Sequence, residues 1–299
     1  MRSNVLAGSP VLRFAPSPNG LLHLGHAYSA LCNERVAADL NGRLLLRIED
    51  LDRTRCKPRY EAPIEGDLAW LGLRFETPPR RQSDHASDYV AALDGLAARG
   101  LVYPCFCSRA EVARTSQGRD PDGAPLYSGT CRALSASEAA ARIARVEKRA
   151  LRLDMARAIE CAPSRLFWLE FGEGSTSVEA AAEPERWGDV ILRGRDLAAS
   201  YHLAVTVDDA LQGVTDVVRG RDLLAATSVH GLLQALLGLP APRYRHHRLV
   251  LDPDGAKLSK RRQSPSLAKL RACGVSRAAI RAALGFGCGD TGGLAVTFS

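Results

Sequence analysis

The 299-residue chain contains no apolar run long enough to cross a membrane, and its N-terminal residues lack the apolar core of a signal peptide. We therefore expect a cytoplasmic protein without membrane contacts. Because disulfides are rare in that compartment, its eight cysteines are not expected to form a disulfide framework. The sequence also lacks an internal repeat and a Gly-x-x-x-x-Gly-Lys-Ser/Thr loop, which excludes a repeat protein and a Walker-type phosphate site.

The composition is that of a globular protein with a basic surface. Hydrophobic residues make up 46% of the chain and charged residues 24%, which predicts a substantial core. The formal net charge of +7 favours a polyanionic partner, with nucleic acid as the first candidate. Since most of the excess is arginine in a sequence rich in alanine and glycine, base composition is an alternative explanation.

The first fifty residues show a pattern typical of a strand–helix–strand unit. Apolar Val11–Phe14 predicts a short buried strand, and small and apolar residues then recur at helical spacing from Leu24 to Leu40. Leu44–Ile48 predicts a second buried strand. Because ligands of parallel α/β sheets bind at the carboxyl ends of the strands, we expect Ala15 and Glu49 to border the functional site.

The remaining segments give weaker signals for individual elements. Residues 103–133, where Cys, Gly, Pro and Asp accumulate without periodicity, predict an irregular insertion. The other predicted elements are helices near 58–72, 84–100 and 137–149, a short sheet formed by 150–154 and 167–171, strands at 187–193, 201–209 and 214–218, a helix ending near 237, and two helices in the last thirty residues.

Two short motifs more than two hundred residues apart predict the two halves of an ATP site. In the first, His23 and His26 can donate hydrogen bonds to phosphate oxygens, and the helix that begins near Leu24 directs its positive end there. In the second, Lys257 and Lys260 can neutralise charge that develops on a phosphorus during in-line displacement. The alternatives are histidines that contact the backbone at a helix start and lysines in a solvated charge run. The predicted catalytic residues are His23, His26, Lys257 and Lys260, and the predicted ATP contacts add Gly20, Gly25 and Ser259.

Three cysteines cluster inside the irregular insertion, at Cys105, Cys107 and Cys131. Three thiolates in a cytosolic protein suit a structural zinc ion with four tetrahedral ligands, although the Cys-x-Cys spacing is tighter than usual. Three reduced cysteines that hold no metal are the alternative. Residue types leave the fourth ligand open, with His85, Asp120 and Asp122 as nearby possibilities.

Several segments resemble the signatures of class I glutamyl-tRNA synthetases, and the resemblance covers nearly the whole chain. A full glutamyl-tRNA synthetase carries a large C-terminal anticodon-binding region, whereas only some forty residues follow Arg261 here. In this difference and in its cysteine cluster, the chain resembles the glutamyl-queuosine tRNA(Asp) synthetase family. The segments are Phe14–His26, Arg47–Asp52, Tyr201–Asp209, Val217–Leu223, Tyr244–His247 and Lys257–Arg261.

The resemblance implies an α/β fold, in which the Rossmann-type parallel sheet of a class I synthetase carries an inserted zinc-containing α+β subdomain and a short helical C-terminal segment. The implied catalytic domain is split between residues 1–102 and 190–262, with the insertion at 103–189, the helical segment at 263–299 and no anticodon-binding domain. The family pattern Tyr-x-x-x-Cys, which ends here at Cys131, also implies Tyr127 as the fourth zinc ligand.

A glutamate pocket must provide partners for one ammonium and two carboxylates, because isolated buried charges are costly. Glu49 is the natural partner of the ammonium, and the guanidinium groups of Arg13 and Arg219 match carboxylates in a fork. A surface ion pair of Arg219 with Asp216 or Asp222 is the alternative. In the family, the positions that match Arg13, Ala15, Ser17, Glu49, Tyr201 and Arg219 bind glutamate.

The implied reaction uses ATP, Mg²⁺ and L-glutamate to form glutamyl-adenylate, and then esterifies glutamate onto queuosine in the anticodon of tRNA(Asp). We expect a monomer. The substrate carboxylate itself attacks the α-phosphorus, so the protein contributes alignment and charge stabilisation and needs no general base. Three alternatives stay open: a shortened glutamyl-tRNA synthetase that charges a tRNA 3′ end, a small-molecule aminoacyl ligase, and a non-catalytic RNA-binding module.

Overall fold

The computed structural model describes residues 8–145, 148–172, 176–252, 255, 258 and 264–299. No helix in these ranges is both long enough and apolar enough to span a bilayer. The strands are β1 (Val11–Phe14), β2 (Arg43–Ile48), β3 (Glu76–Arg81), β4 (Val102–Cys105), β5 (Ala150–Leu153), β6 (Phe167–Phe171), β7 (Ser177–Ala181), β8 (Ile191–Arg193), β9 (Asp216–Gly220), β10 (Arg243–His247), β11 (Val250–Leu251) and β12 (Thr297–Phe298). The helices are α1 (Leu24–Asp39), α2 (Glu61–Trp70), α3 (Ala86–Ala98), α4 (Arg109–Thr115), α5 (Ala136–Ala144), α6 (Met155–Glu160), α7 (Tyr201–Leu211), α8 (Thr227–Leu237), α9 (Leu267–Ala272) and α10 (Arg277–Ala283).

The predicted strand–helix–strand unit is confirmed. Every residue of β1 is buried, and the strand pairs in parallel with β2, from Val11 opposite Arg43 to Phe14 opposite Leu46. The intervening helix α1 is capped by His23, and β3 adds to the free edge of β2, also in parallel. Burial of every residue along a short strand is expected where a parallel sheet is covered on both faces.

A second sheet, in the order β7-β6-β10-β9, meets the first sheet at β1. Its strands β9, β10 and β6 are parallel, whereas β7 is antiparallel to β6. Thr215 makes the junction, because its backbone N–H donates to the Val11 carbonyl and its hydroxyl accepts from the Val11 N–H, each at 2.9 Å. Strands β1 and β9 therefore lie side by side, and Phe14 and Arg219 at their carboxyl ends line the same cavity.

The third sheet is antiparallel, with β5 between β4 and β8, and it places Cys105 opposite Ala150. Its strand β8 lies beyond the predicted insertion at 103–189, while β6, which lies within that insertion, pairs with β10. Strand pairing thus crosses the C-terminal limit of the insertion twice, and the division into domains stays a prediction.

The C-terminal helices pack into the same core as the first sheet. Leu267 and Leu270 of α9 and Ile280 of α10 are buried in one hydrophobic cluster with Phe14 and Leu31. The two predicted C-terminal helices are therefore confirmed, and they complete the hydrophobic cover of the first sheet. The antiparallel pair β11–β12 was not predicted, since strands of two residues leave no periodic signal.

Residues 201–209 were predicted to be a strand, and that prediction is wrong, because the segment forms most of helix α7. The helix begins after Ser200, whose hydroxyl accepts a hydrogen bond from the Leu203 N–H. Every residue from Leu203 to Asp209 is buried, so no polar face reveals the helical period. The β-branched Val205 and Val207 further imitate a strand.

Other predictions were correct in part. The segments 150–154 and 167–171 do contain strands, but β5 and β6 belong to different sheets and not to one short sheet. In the segment 187–193, only the last three residues are a strand. The irregular insertion contains helix α4, which is short and is fixed by a capping box between Ser108 and Glu111.

Candidate active site

A cavity of about 480 Å³ lies at the carboxyl ends of β1, β2 and β9, beside the beginning of α1. Gly20 does not line it, and Lys257, Ser259 and Lys260 lie outside the described residues, although their neighbour Leu258 lines it. The structure thus brings together both the predicted glutamate contacts and part of the predicted ATP contacts. The predicted residues on the cavity wall are Arg13, Ala15, Ser17, His23, Gly25, His26, Glu49, Tyr201 and Arg219.

The two motif histidines cap helix α1 with the same ring nitrogen. His23 Nδ1 accepts from the Gly25 N–H at 3.1 Å, and His26 Nδ1 accepts from the His23 N–H at 3.2 Å. The alternative considered from the sequence, in which the histidines contact the backbone at a helix start, is therefore present. These contacts use Nδ1 only, so they are compatible with a role of Nε2 in the cavity. A neutral imidazole that accepts at Nδ1 carries its proton on Nε2, and an N–H group of this kind is a suitable donor to a phosphate oxygen.

The structure explains why the first motif has glycine at positions 20 and 25. A Cβ on Gly25 would lie 3.1–3.2 Å from ring atoms of His23, so a side chain there would disturb the capping histidine. Gly20 has a φ of 152°, a conformation that residues with a Cβ rarely adopt. Gly25 lines the cavity, whereas the φ of Gly20 explains why a glycine stands there, and the ATP contacts of both stay predictions.

Opposite charges are buried together beneath the cavity. Arg13 donates from Nε and Nη2 to both carboxylate oxygens of Asp209, at 2.9 and 3.3 Å, and Arg47 Nη1 donates to Asp209 Oδ1 at 2.7 Å. Burial disfavours ionisation of Asp209, but the two guanidinium groups hold the pKa of its carboxyl below the ordinary value. Glu49, 3.3 Å from Arg47, has its pKa raised by burial against the attraction of Arg47 and Arg13.

The neighbouring Asp208 organises a second group of donors. It accepts from Arg80 Nε and Gln82 Nε2 at 2.8 Å and from the Tyr89 hydroxyl at 3.0 Å, and its side chain is fully buried. These contacts tie β3 and α3 to α7. Sequence reasoning missed both aspartates as partners; the signal was present, because an acidic pair at the end of an apolar run must be buried with its partners.

Arg219 enters the cavity wall from β9 and is only 5% exposed, so the surface ion pair considered from the sequence is absent. Asp216 pairs with Arg243 and Arg245 instead. The described contacts of Arg219 are all with uncharged acceptors or histidine rings: its guanidinium donates to His246 Nε2, His230 Nδ1, Thr227 Oγ1, the Leu223 carbonyl and, at 3.5 Å, the Tyr201 hydroxyl.

The cysteine cluster has a geometry that fits a tetrahedral metal. The three Sγ atoms lie within 4.8 Å of one another, with 3.5 Å between Cys107 and Cys131. The Tyr127 hydroxyl lies 3.6 Å from Cys107 Sγ and also contacts the Cys131 backbone N–H at 2.7 Å. Metal–ligand bonds of about 2.0–2.3 Å place tetrahedral ligands about 3.3–3.8 Å apart. The distances from Cys107 Sγ to Cys131 Sγ and to the Tyr127 hydroxyl match this spacing, and three thiols with a hydroxyl suit zinc in chemistry.

A charged cavity at the carboxyl ends of parallel strands is the usual place of a ligand-binding site in an α/β fold. The family described as tRNA synthetases class I (E and Q), catalytic domain, matches residues 11–289, and the chain belongs to this family. A solved glutamate tRNA ligase from Elizabethkingia meningosepticum, in complex with its amino acid, superposes with a TM-score of 0.72 at 26% identity. That match covers 93% of this chain and 60% of the ligase, so the chain spans about three fifths of its length.

Curated relatives narrow the similarity further. The chain is 44% identical over 285 residues to the glutamyl-Q tRNA(Asp) synthetase of Rhodobacter capsulatus. This match covers 92% of the chain and 99% of the relative. The chain is also 40% identical over 280 residues to the glutamyl-Q tRNA(Asp) synthetase of Symbiobacterium thermophilum, covering 88% and 82%. The resemblance seen in the motifs is therefore confirmed over most of the chain.

Proposed function

We propose that the chain activates L-glutamate with ATP and transfers it to queuosine in the anticodon of tRNA(Asp). The observation that carries the proposal is the cavity, in which Glu49, Arg13 and Arg219 offer charges complementary to one ammonium and two carboxylates. The choice of acceptor is supported by similarity to proteins named glutamyl-Q tRNA(Asp) synthetase. The net charge of +7 is consistent with a nucleic-acid substrate.

Glu49 and Arg219 each take one charged group of glutamate. Glu49 receives the ammonium, whose charge favours the ionised carboxylate and offsets the burial that raises the pKa of Glu49. Arg219 receives the side-chain carboxylate, because none of its described contacts is a carboxylate, whereas Arg13 already shares Asp209. The α-carboxylate is then left to approach ATP. Ala15, Ser17 and Tyr201 complete the wall around the amino acid.

The ATP half of the site supplies donors and positive charge. His23 and His26 donate from Nε2 to phosphate oxygens at the N-terminal end of α1. The proposal gives the remaining phosphate contacts to the second motif, through Lys257, Ser259 and Lys260. The glutamate α-carboxylate attacks the α-phosphorus, and pyrophosphate leaves together with its Mg²⁺. Attack of a queuosine hydroxyl on the activated carbonyl then forms the ester and releases AMP. Alignment and stabilisation of phosphate charge account for the protein's contribution.

The proposal includes a structural zinc ion held by Cys105, Cys107, Tyr127 and Cys131, which would fix the insertion at 103–189 beside the cavity-bearing sheets. It also includes the catalytic domain split between 1–102 and 190–262, and the helical segment at 263–299. We further propose a monomer that acts in the cytoplasm, where its tRNA substrate is found.

The direct test is transfer of labelled glutamate to tRNA(Asp) with and without queuosine, followed by nuclease digestion to map the label. Matched tRNA(Asp) that carries guanosine in place of queuosine is the control, because it differs only at the acceptor base. Label in the anticodon fragment, and only when queuosine is present, is the expected result.

Two other results would redirect the assignment. Label on the 3′ end of tRNA(Glu) would identify a shortened glutamyl-tRNA synthetase, the candidate favoured by the likeness to the solved glutamate tRNA ligase. Glutamate-dependent exchange of pyrophosphate into ATP, combined with no transfer of label to any tRNA tested, would indicate a small-molecule ligase.

A further inference from the structure

Arg219 differs from the other buried arginines near the cavity in the nature of its partners. Arg13 and Arg47 both donate to the Asp209 carboxylate, which balances part of their charge. The described contacts of Arg219 include two histidine rings, with distances of 3.0 Å to His246 Nε2 and 3.1 Å to His230 Nδ1. A guanidinium that is 5% exposed is thus held by neutral acceptors.

The chemistry of arginine fixes the protonation of both rings. Because a guanidinium can only donate, His246 Nε2 and His230 Nδ1 must both be acceptors and carry no proton. His246 then donates from Nδ1 to Glu170 Oε2 at 2.8 Å, and His230 donates from Nε2 to His202 Nδ1 at 3.2 Å. Burial, with Arg219 nearby, lowers the pKa of His202 to about 4 and also lowers the pKa values of His230 and His246.

This arrangement separates two properties of the arginine. Four of its N–H groups donate hydrogen bonds of 2.8–3.1 Å, which fix the direction of the side chain, whereas the fifth reaches only the Tyr201 hydroxyl at 3.5 Å and can turn to a ligand. Among the residues that the structure describes, no carboxylate contacts the guanidinium. A buried charge of this kind is costly unless a partner arrives, so the site favours an anion over a neutral group of similar shape. The only difference between the side chains of glutamate and glutamine is this one: a carboxylate against an amide.

We propose that His230 and His246 are positioning residues that orient Arg219 without neutralising it, and thereby select glutamate over glutamine. The inference rests on the proposed function, because it takes Arg219 as the partner of the substrate side-chain carboxylate. Discrimination between glutamate and glutamine matters in this family, since the matching family includes enzymes for both amino acids. An acidic residue at either histidine position would orient Arg219 equally well but remove the selectivity.

Two variants of His230, which are isosteric with each other, separate the effect of charge from that of geometry. His230→Asn keeps an acceptor near the position of Nδ1, and His230→Asp keeps the same acceptor and adds a negative charge. For glutamate-dependent pyrophosphate exchange, we expect His230→Asn to leave the KM for glutamate within about threefold of the wild type. His230→Asp should raise that KM about 10- to 100-fold, as expected for the loss of a charge-assisted interaction, and let glutamine compete. The KM for ATP should change little in both variants.

A second pair on another strand keeps the test decisive if an aspartate at position 230 prevents folding. His246→Gln places an acceptor near the position of Nε2, and His246→Glu adds the charge, so the same difference in glutamate KM and in competition by glutamine is expected. Equal KM values for the neutral and acidic members of both pairs would overturn the inference alone. Absence of glutamate-dependent exchange in the wild-type protein would overturn the proposed function, and the inference with it.

Discussion

Asp67 is a buried carboxyl group that the site does not use. It is 1% exposed in the core between α2 and α9, and neither of its oxygens accepts a hydrogen bond from the described residues. The nearest cation is Arg271, with 3.7 Å between Nη2 and Oδ1. Burial raises the pKa of Asp67, and Arg271 opposes this only in part. An acid held in this way weakens the fold when it ionises.

We expect Asp67→Asn to stabilise the protein at neutral pH. The folded state keeps the proton of Asp67 to a higher pH than the unfolded state does, so its cost is absent at low pH and grows as pH rises. The free energy of unfolding should therefore increase by about 1 kcal/mol at pH 7, with the difference disappearing below about pH 4. Urea unfolding across this range provides the measurement.

The matched control is Asp94→Asn, which makes the same change on an exposed position of α3. It should shift the unfolding free energy by less than about 0.5 kcal/mol at either pH. A gain from Asp67→Asn that was equally large at pH 4 and pH 7 would show that ionisation is not its cause.

At the residue scale, sequence reasoning found the charges that a ligand needs but not the charges that hold them. Glu49, Arg13 and Arg219 follow from the requirement that each ligand charge has a partner. Asp209 is 196 residues from Arg13 along the chain, and although His230 is only 11 residues from Arg219, both contacts depend on how α7 and α8 pack against the strands. Such tertiary contacts leave no periodic signal in one sequence.

The start of helix α1 combines a structural and a chemical role in the ring of His23. Nδ1 caps the helix, whereas Nε2 carries the proposed phosphate donor. His23→Asn should keep the cap, since asparagine is a favoured capping residue, and lose the donor. We expect an unchanged melting temperature and a kcat for pyrophosphate exchange about 100-fold lower.

His23→Gln provides the opposite exchange, because its amide reaches the position of Nε2 but not that of Nδ1. The protein should lose about 1 kcal/mol of stability while retaining more activity than His23→Asn. If both variants lost activity and stability in the same proportion, the ring would be no more than a helix cap.

The cysteine cluster lies on the element formed by β4, α4 and the loop that ends at Cys131. We expect the wild-type protein to contain about one zinc ion, measured by atomic emission, and Cys131→Ser to lose it together with part of its thermal stability. Cys161→Ser, a change at an exposed cysteine, should alter neither property.

Tyr127→Phe tests the unusual fourth ligand separately. Removal of the hydroxyl should weaken zinc binding about tenfold or more in competition with a chelator, since the three thiolates remain. An unchanged zinc affinity would assign the fourth position to another group, even if Cys131→Ser had lost the metal.

At the scale of elements, the sequence predicted the first strands from their short buried runs and α1 from its helical spacing of small and apolar residues. Helix α7 was missed because Leu203–Asp209 is a continuous buried run that imitates a strand. The sequence also did not reveal which strands pair. Strand β6 lies in an irregular stretch of sequence, yet it pairs with β10, more than seventy residues later.

At the scale of the whole molecule, the question is whether the predicted C-terminal segment, residues 263–299, unfolds together with the rest of the protein. Ile280 of α10 is fully buried in the cluster that contains Phe14 from the cavity wall. Ile280→Ala should therefore cost about 2–4 kcal/mol and shift a single unfolding transition, because the loss is felt throughout one core. Val178→Ala, at a position 61% exposed, should change stability by less than about 0.5 kcal/mol. Calorimetry that resolved two transitions, with only one displaced by Ile280→Ala, would show that the segment unfolds independently of the sheet that forms the cavity.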